Sequence, residues 1–285
     1  MGDGKELQGL ALSVAVGVIG VAVALTSKRW SGGAASPEDV ALGAARKQSE
    51  SGDREGALAT VTACMKRDPR ACLCVEQAAD LAMDLAHYED AKRTLKWEPF
   101  CTAPAVRGLR AEALVATGRT EEGLGAASNL LREKPDEPHA SLAKAWALSM
   151  SGFSPEALAL GEAALRGRRS VRALLLVAKL RAGAGDSTGA RAAIEEASRL
   201  EPADPRVAFD LGIVEQGEHH YREAREAYLR ALSLDPRMAD ARYQLAVLTH
   251  GVQADDEARH HLDELAAIAP NDPRIAPLRA TLQSK

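Results

Sequence analysis

Residues 203–236, ADPRVAFDLGIVEQGEHHYREAREAYLRALSLDP, are followed at 238–270 by MADARYQLAVLTHGVQADDEARHHLDELAAIAP, which falls on the first stretch at a spacing of 34. Leu211-Gly212 meets Leu245-Ala246, Ala224 meets Ala258, Tyr228 meets Leu262, Ala231 meets Leu265 and Pro236 meets Pro270. One step upstream, Ala178, Ala190, Ile194, Ala197 and Pro202 occupy the same slots. Near the start Ala45, Ala57, Val61, Cys64 and Pro69 do so again. Small residues at these slots suit close helix crossings, and the large apolar ones fill the space beside them. The recurring proline closes the second helix of each pair. One such hairpin cannot bury its apolar faces, so neighbours must stack.

The pattern resembles the tetratricopeptide repeat (TPR), with Leu-Gly or Leu-Ala in a first helix, Ala, an aromatic or aliphatic residue and Ala in a second, then a closing Pro. The resemblance implies an all-α, right-handed α-solenoid of about seven TPR helix hairpins. The units register at 38–71, 72–103, 104–137, 138–170, 171–204, 205–238 and 239–272, and Arg274 to Leu282, within 273–285, reads as a capping helix. Unit two has Glu98 where a small residue is expected, unit three has Gly123 at the Ala slot, and unit four needs about two extra residues in its turn before Ala157.

With 46% hydrophobic and 27% charged residues, the 285-residue chain is neither disordered throughout nor a multi-span membrane protein. Thirty-six Lys and Arg against 40 Asp and Glu leave no basic field for a nucleic-acid backbone, so no nucleic-acid partner is expected.

The first thirty residues read as a separate membrane anchor. From Leu7 to Ser27 there is no charge, and as a helix this run is about 31 Å long, enough to span a bilayer core. Lys28, Arg29 and Trp30 then close it, and residues 31–37 read as a flexible tether. The alternative is a cleaved signal peptide, with Ala22-Val23-Ala24 as its small-residue site. Small pairs within the run, Ala11 with Ala15 and Ser13 with Gly17, point to homo-oligomerisation through the span.

No phosphate-cradling loop, nucleophile elbow or metalloprotease helix is present, so the chain reads as non-catalytic, without a cofactor or metal. Glu121-Glu122 and Asp255-Asp256 read as helix-start charge. His219-His220, His250 and His260-His261 read as surface histidines, since adjacent residues on a helix diverge by about 100° and chelate poorly. The cysteines cluster at Cys64, Cys72, Cys74 and Cys101. Two pairings suggest themselves, Cys74 with Cys101 across a hairpin's ends and Cys64 with Cys72 across a turn; alternatively the thiols fill small buried slots. Paired cysteines favour an oxidising compartment, whereas Lys28 and Arg29 after the span favour a cytoplasmic one. The Ala- and Arg-rich usage suggests a bacterial inner membrane, with the repeats on its periplasmic side.

In the TPR family the first helices line a concave groove. Carried over, this groove presents Glu76, Asp80, Met83 and Asp84 in unit two; Arg172, Leu175 and Lys179 in unit five; Arg206, Phe209, Ile213 and Gln216 in unit six; and Asp240, Tyr243, Val247 and His250 in unit seven. Such a surface suits a peptide or protein partner, with Phe209 and Tyr243 as anchors and Arg172, Lys179 and Arg206 for an acidic group. A carboxylate clamp for chaperone tails is not matched, because Lys179 stands where that pattern wants Asn. The expectation is a membrane-tethered scaffold in envelope assembly or secretion; the alternatives are a translocon-associated holdase and a thiol-redox or metal-binding protein.

Overall fold

The computed structural model describes residues 35–283, apart from 98, 99, 151 and 153. The apolar run 7–27 and its small-residue pairs lie outside the described residues, as does Glu98. Among the described residues no helix is long and apolar enough to cross a membrane.

From Pro37 onward the described residues form fifteen α-helices and no strand. They pair as α1 (Pro37–Glu50) with α2 (Arg54–Arg67), α3 (Cys72–Asp84) with α4 (Tyr88–Thr94), α5 (Pro104–Ala116) with α6 (Thr120–Glu133), and α7 (Pro138–Ser149) with α8 (Pro155–Gly167). The series continues with α9 (Val171–Gly183) and α10 (Ser187–Leu200), α11 (Pro205–Gly217) and α12 (Tyr221–Leu234), α13 (Ala239–Gly251) and α14 (Asp255–Ile268), and ends in α15 (Ile275–Gln283), which packs on α14.

Local chemistry sets these boundaries. Pro104, Pro138, Pro155 and Pro205 each occupy the first position of a helix, where a missing N–H removes no bond. Side chains of Asp53, Glu137, Ser154, Ser170 and Asp186 accept a backbone N–H three residues on, capping five helix starts. The positive-φ residues among those described fall at 52, 86, 118, 152, 185, 219 and 253, one in each hairpin turn. Four are glycine, but Ala86, His219 and Gln253 hold φ between 60° and 65°, at a steric cost glycine avoids. Helix α4 stops short at Thr94 and gives way to a 3₁₀ turn, Leu95–Trp97.

Packing follows the small-residue slots. Ala57, Ala91, Ala190, Ala224, Ala231 and Ala258 are all fully buried where hairpins cross. Gly212 marks a close approach between helices: a methyl group there would lie 2.4 Å from Tyr228 Cε1. Tyr228 has no exposed surface, and its hydroxyl donates to Gln216 Oε1 at 2.8 Å. The pair thus lets α11 and α12 nest closely while keeping the one buried hydroxyl satisfied.

Candidate partner-binding site

The first helices of successive pairs share one face, and on it charges far apart in sequence meet. Arg168, just after α8, forms a bidentate pair with Asp80 of α3, with Nη1 2.8 Å from Oδ1. Arg172 of α9 donates to Asp80 Oδ1 at 2.9 Å, to the Asp80 carbonyl at 3.0 Å and to Asp84 Oδ1 at 2.5 Å. Its Nε lies 3.3 Å from Glu112 Oε2 on α5, an ion pair without hydrogen-bond geometry. Glu112 Oε1 is 2.6 Å from His139 Nδ1 on α7. Arg54 of α2 pairs with Asp84 at 2.9 Å and with Glu201. Arg206 of α11 binds Asp204 and donates to the Asp84 carbonyl at 2.5 Å.

These contacts join the first two helix pairs to the fifth and sixth across 88 to 147 residues of chain, closing one end of the inner face with an ionic lattice. Burial pushes the Asp80 carboxyl up, but the Arg168 and Arg172 charges overcome it and hold the group well below the usual range. Burial likewise opposes a charge on His139, and Glu112 outweighs it, so that this imidazole is held protonated to higher pH than usual.

Beside the lattice the face opens into a cavity of about 450 Å³. Its walls are Leu142 and Trp146 of α7, Leu175, Leu176 and Leu180 of α9, Phe209 of α11 and Met238, with Tyr88 at one edge. Trp146 and Tyr88 meet edge to face, their ring centroids 5.9 Å apart. Asp210, Lys179, Arg172 and Arg206, with Glu112, Asp240 and Ser149, supply the polar part of the lining. Asp210 is 2% exposed, and neither carboxylate oxygen has a hydrogen-bond partner; Lys179 Nζ stands 3.3 Å from Oδ1. Burial raises its carboxyl to about 6, against the opposing pull of Lys179.

Paired helices with a recurring inner face match known proteins. The tetratricopeptide repeat family model matches residues 109–173 and again 216–282. Residues 109–173 and 216–282 are tetratricopeptide repeats. A crystal structure of a tetratricopeptide repeat protein from Parabacteroides merdae is similar over 87% of this chain and 99% of that one, at 15% identity and a TM-score of 0.56. The structure of the APC/C hetero-tetramer Cut9-Hcn1 is similar over 84% of this chain and 48% of that one, at 16% identity and a TM-score of 0.64. A human IFIT1 dimer with m7Gppp-AAAA is similar over 84% and 62%, at 16% identity and a TM-score of 0.59. At such identities the likeness is one of fold. No curated protein matches the sequence.

The repeats place the expected groove residues in two groups. Arg172, Lys179, Arg206 and Phe209 line the cavity together. Asp80, Asp84, Arg172 and Arg206, however, engage one another, so two of the three cations expected to meet an acidic group on a partner, Arg172 and Arg206, are already engaged within the molecule. Met83 is fully buried, and Glu76 is half-buried, its carboxyl pushed up chiefly by that burial. Gln216 accepts from Tyr228, and His250 Nδ1 lies 2.7 Å from Asp255 Oδ1. Tyr243 carries the Arg274 guanidinium over its ring at 4.6 Å, so that this expected anchor is covered by the chain itself. Asp210, Trp146 and Leu176 were missed. Asp210 sits one position before the Leu-Gly pair, where the repeat pattern assigns no partner contact.

The expected cysteine pairings are corrected. The bridges are Cys64–Cys74 and Cys72–Cys101, with Cα atoms 6.2 and 5.3 Å apart. Residues two apart on a helix point about 200° away from each other, so Cys72 and Cys74 cannot serve the same side of α3. Cys74 turns inward to Cys64 on α2, both buried, while Cys72 turns to Cys101, beyond the 3₁₀ turn that follows α4. No free cysteine is found among the described residues, which removes the Cys72-Leu73-Cys74 thiol site as a reading. No histidine among the described residues joins a metal-binding group. His261 departs from the surface expectation: it is 6% exposed, and burial lowers its readiness to protonate.

Proposed function

We propose that this protein is a membrane-tethered, non-catalytic scaffold that holds a protein or peptide partner in the first-helix cavity and brings it to a bacterial inner membrane, in envelope assembly or secretion. The observation that carries the reading is the cavity itself: about 450 Å³, walled by aliphatic and aromatic side chains, on the inner face of a TPR solenoid. The uncharged run Leu7–Ser27 supports the tether. Two disulfides within one small region support a periplasmic position for the repeats, because such bridges persist in oxidising compartments.

A crosslinking pull-down from native membranes tests the partner. Leu176→Asp, which places a charge in the cavity wall, abolishes capture while the helical circular dichroism persists; Leu229→Asp on the exposed side of α12 leaves capture intact. Equal capture by both variants defeats the reading. The compartment is tested by labelling Cys72, the partly exposed half of the Cys72–Cys101 bridge, with an impermeant thiol reagent after reduction, in whole cells and in spheroplasts. Labelling confined to cells whose outer membrane is opened fits the periplasm, and labelling only after lysis excludes it.

A further inference from the structure

We propose that Asp210 is a receptor for the guanidinium of an arginine on the partner, so that the cavity selects a basic side chain rather than an acidic one. The inference rests on the reading of the cavity as the partner site. Its basis is an asymmetry in how the polar lining is satisfied. Arg172 is held by Asp80 and Asp84, and Arg206 by Asp204 and the Asp84 carbonyl. Asp210 is the lining carboxylate with neither oxygen hydrogen-bonded, whereas Glu112 meets His139 and Asp240 meets Arg274; it is 2% exposed and lines the cavity.

Among the described residues, Lys179 is the one cation paired with Asp210, and no side chain hydrogen-bonds either oxygen. Tyr228, packed behind on α12, gives its hydroxyl to Gln216. Lys179 stands 3.3 Å from one oxygen, but 57% of its side chain is exposed, so its flexible stem can carry the ammonium outward to water. A guanidinium meets the requirement better than a second ammonium, because its planar fork offers two parallel N–H groups to the two oxygens at once. It is also weakly hydrated, which lowers the cost of entry. Leu175 and Phe209 stand in the same cavity to take the apolar stem.

The test uses the full chain on arrays of immobilised random heptapeptides whose central residue is fixed as arginine, citrulline or glutamate. Arginine arrays retain about tenfold to a hundredfold more protein than citrulline arrays, the range of a charge-assisted pair. Asp210→Asn levels the arrays, and Lys179→Met, which removes the competing ammonium, sharpens the arginine preference. Folding of both variants is checked by circular dichroism. Equal retention on all three arrays, or an arginine preference that survives Asp210→Asn, overturns the inference while leaving the cavity as a peptide site. A preference for glutamate overturns it in favour of an acidic partner. Retention on no array removes the peptide reading of the cavity and the inference with it.

Discussion

Arg172→Met removes the hub of the ionic lattice while keeping most of the side-chain volume. The guanidinium contacts Asp80 twice, Asp84 once and Glu112 by ion pairing, and its side chain is 6% exposed. Breaking a buried pair by deleting one partner costs about 3–5 kcal/mol, because the other charge is left desolvated. Here each acid keeps one partner, Arg168 for Asp80, Arg54 for Asp84 and His139 for Glu112, so the lower end of that range, about 3 kcal/mol, applies. The lattice also couples helix pairs that are not neighbours in the stack, which a solenoid otherwise lacks. Urea unfolding followed by circular dichroism at 222 nm therefore shows a lower midpoint and a broader transition in the variant. Adding Asp80→Asn to Arg172→Met costs less than the two single losses combined, since the substitutions act on one network. A loss below about 1 kcal/mol with strict additivity would refute the lattice as a structural element.

Three further outcomes follow from individual residues. Gly212→Ala forces a methyl group to within 2.4 Å of Tyr228 Cε1 and lowers stability by about 1–3 kcal/mol; an unchanged melting temperature contradicts the close crossing of α11 and α12. Gln253→Gly relieves a left-handed backbone at φ 65° and stabilises by about 1 kcal/mol, whereas Gly118→Ala, at φ 81°, destabilises by a similar amount; denaturant midpoints that move together defeat this account of the turns. Because burial raises the Asp210 carboxyl from 3.8 to about 6, the folded state resists its ionisation, and stability from this group is lost as pH rises between those values. The advantage of Asp210→Asn over the unmodified protein therefore grows by about 2 kcal/mol from pH 4.5 to pH 7; a pH-independent difference contradicts it.

What the sequence discloses is what local packing repeats. The Ala224/Ala258 and Ala231/Leu265 correspondences mark helix crossings inside each hairpin, and Pro202, Pro236 and Pro270 each fall two residues beyond the end of a second helix. The two extra residues that unit four needs in its turn fall between Ser149 and Pro155. What it conceals is set by the superhelix. Nothing in a 34-residue period brings Asp80 to Arg172 or Arg54 to Glu201, so residues that align as a solvated, ligand-seeking groove prove to be each other's partners. Asp210 escaped notice for the same reason: its isolation depends on where its neighbours' hydrogen bonds go, and no pattern of residue types records that. The bridges differ from the expected pairing because α4 ends at Thr94 and gives way to a 3₁₀ turn, unlike the full-length second helices of the other repeats, and Cys101 pairs with Cys72 instead of Cys74.

The central claim is that this solenoid grips its partner from within. Site-specific photocrosslinking from position 176 in the cavity wall, with position 229 on α12 as control and mass spectrometry to map the adducts, tests it by direct contact. The account predicts adducts from position 176 to one defined segment of a single protein and none from position 229. Adducts confined to position 229, or spread alike over both, contradict it.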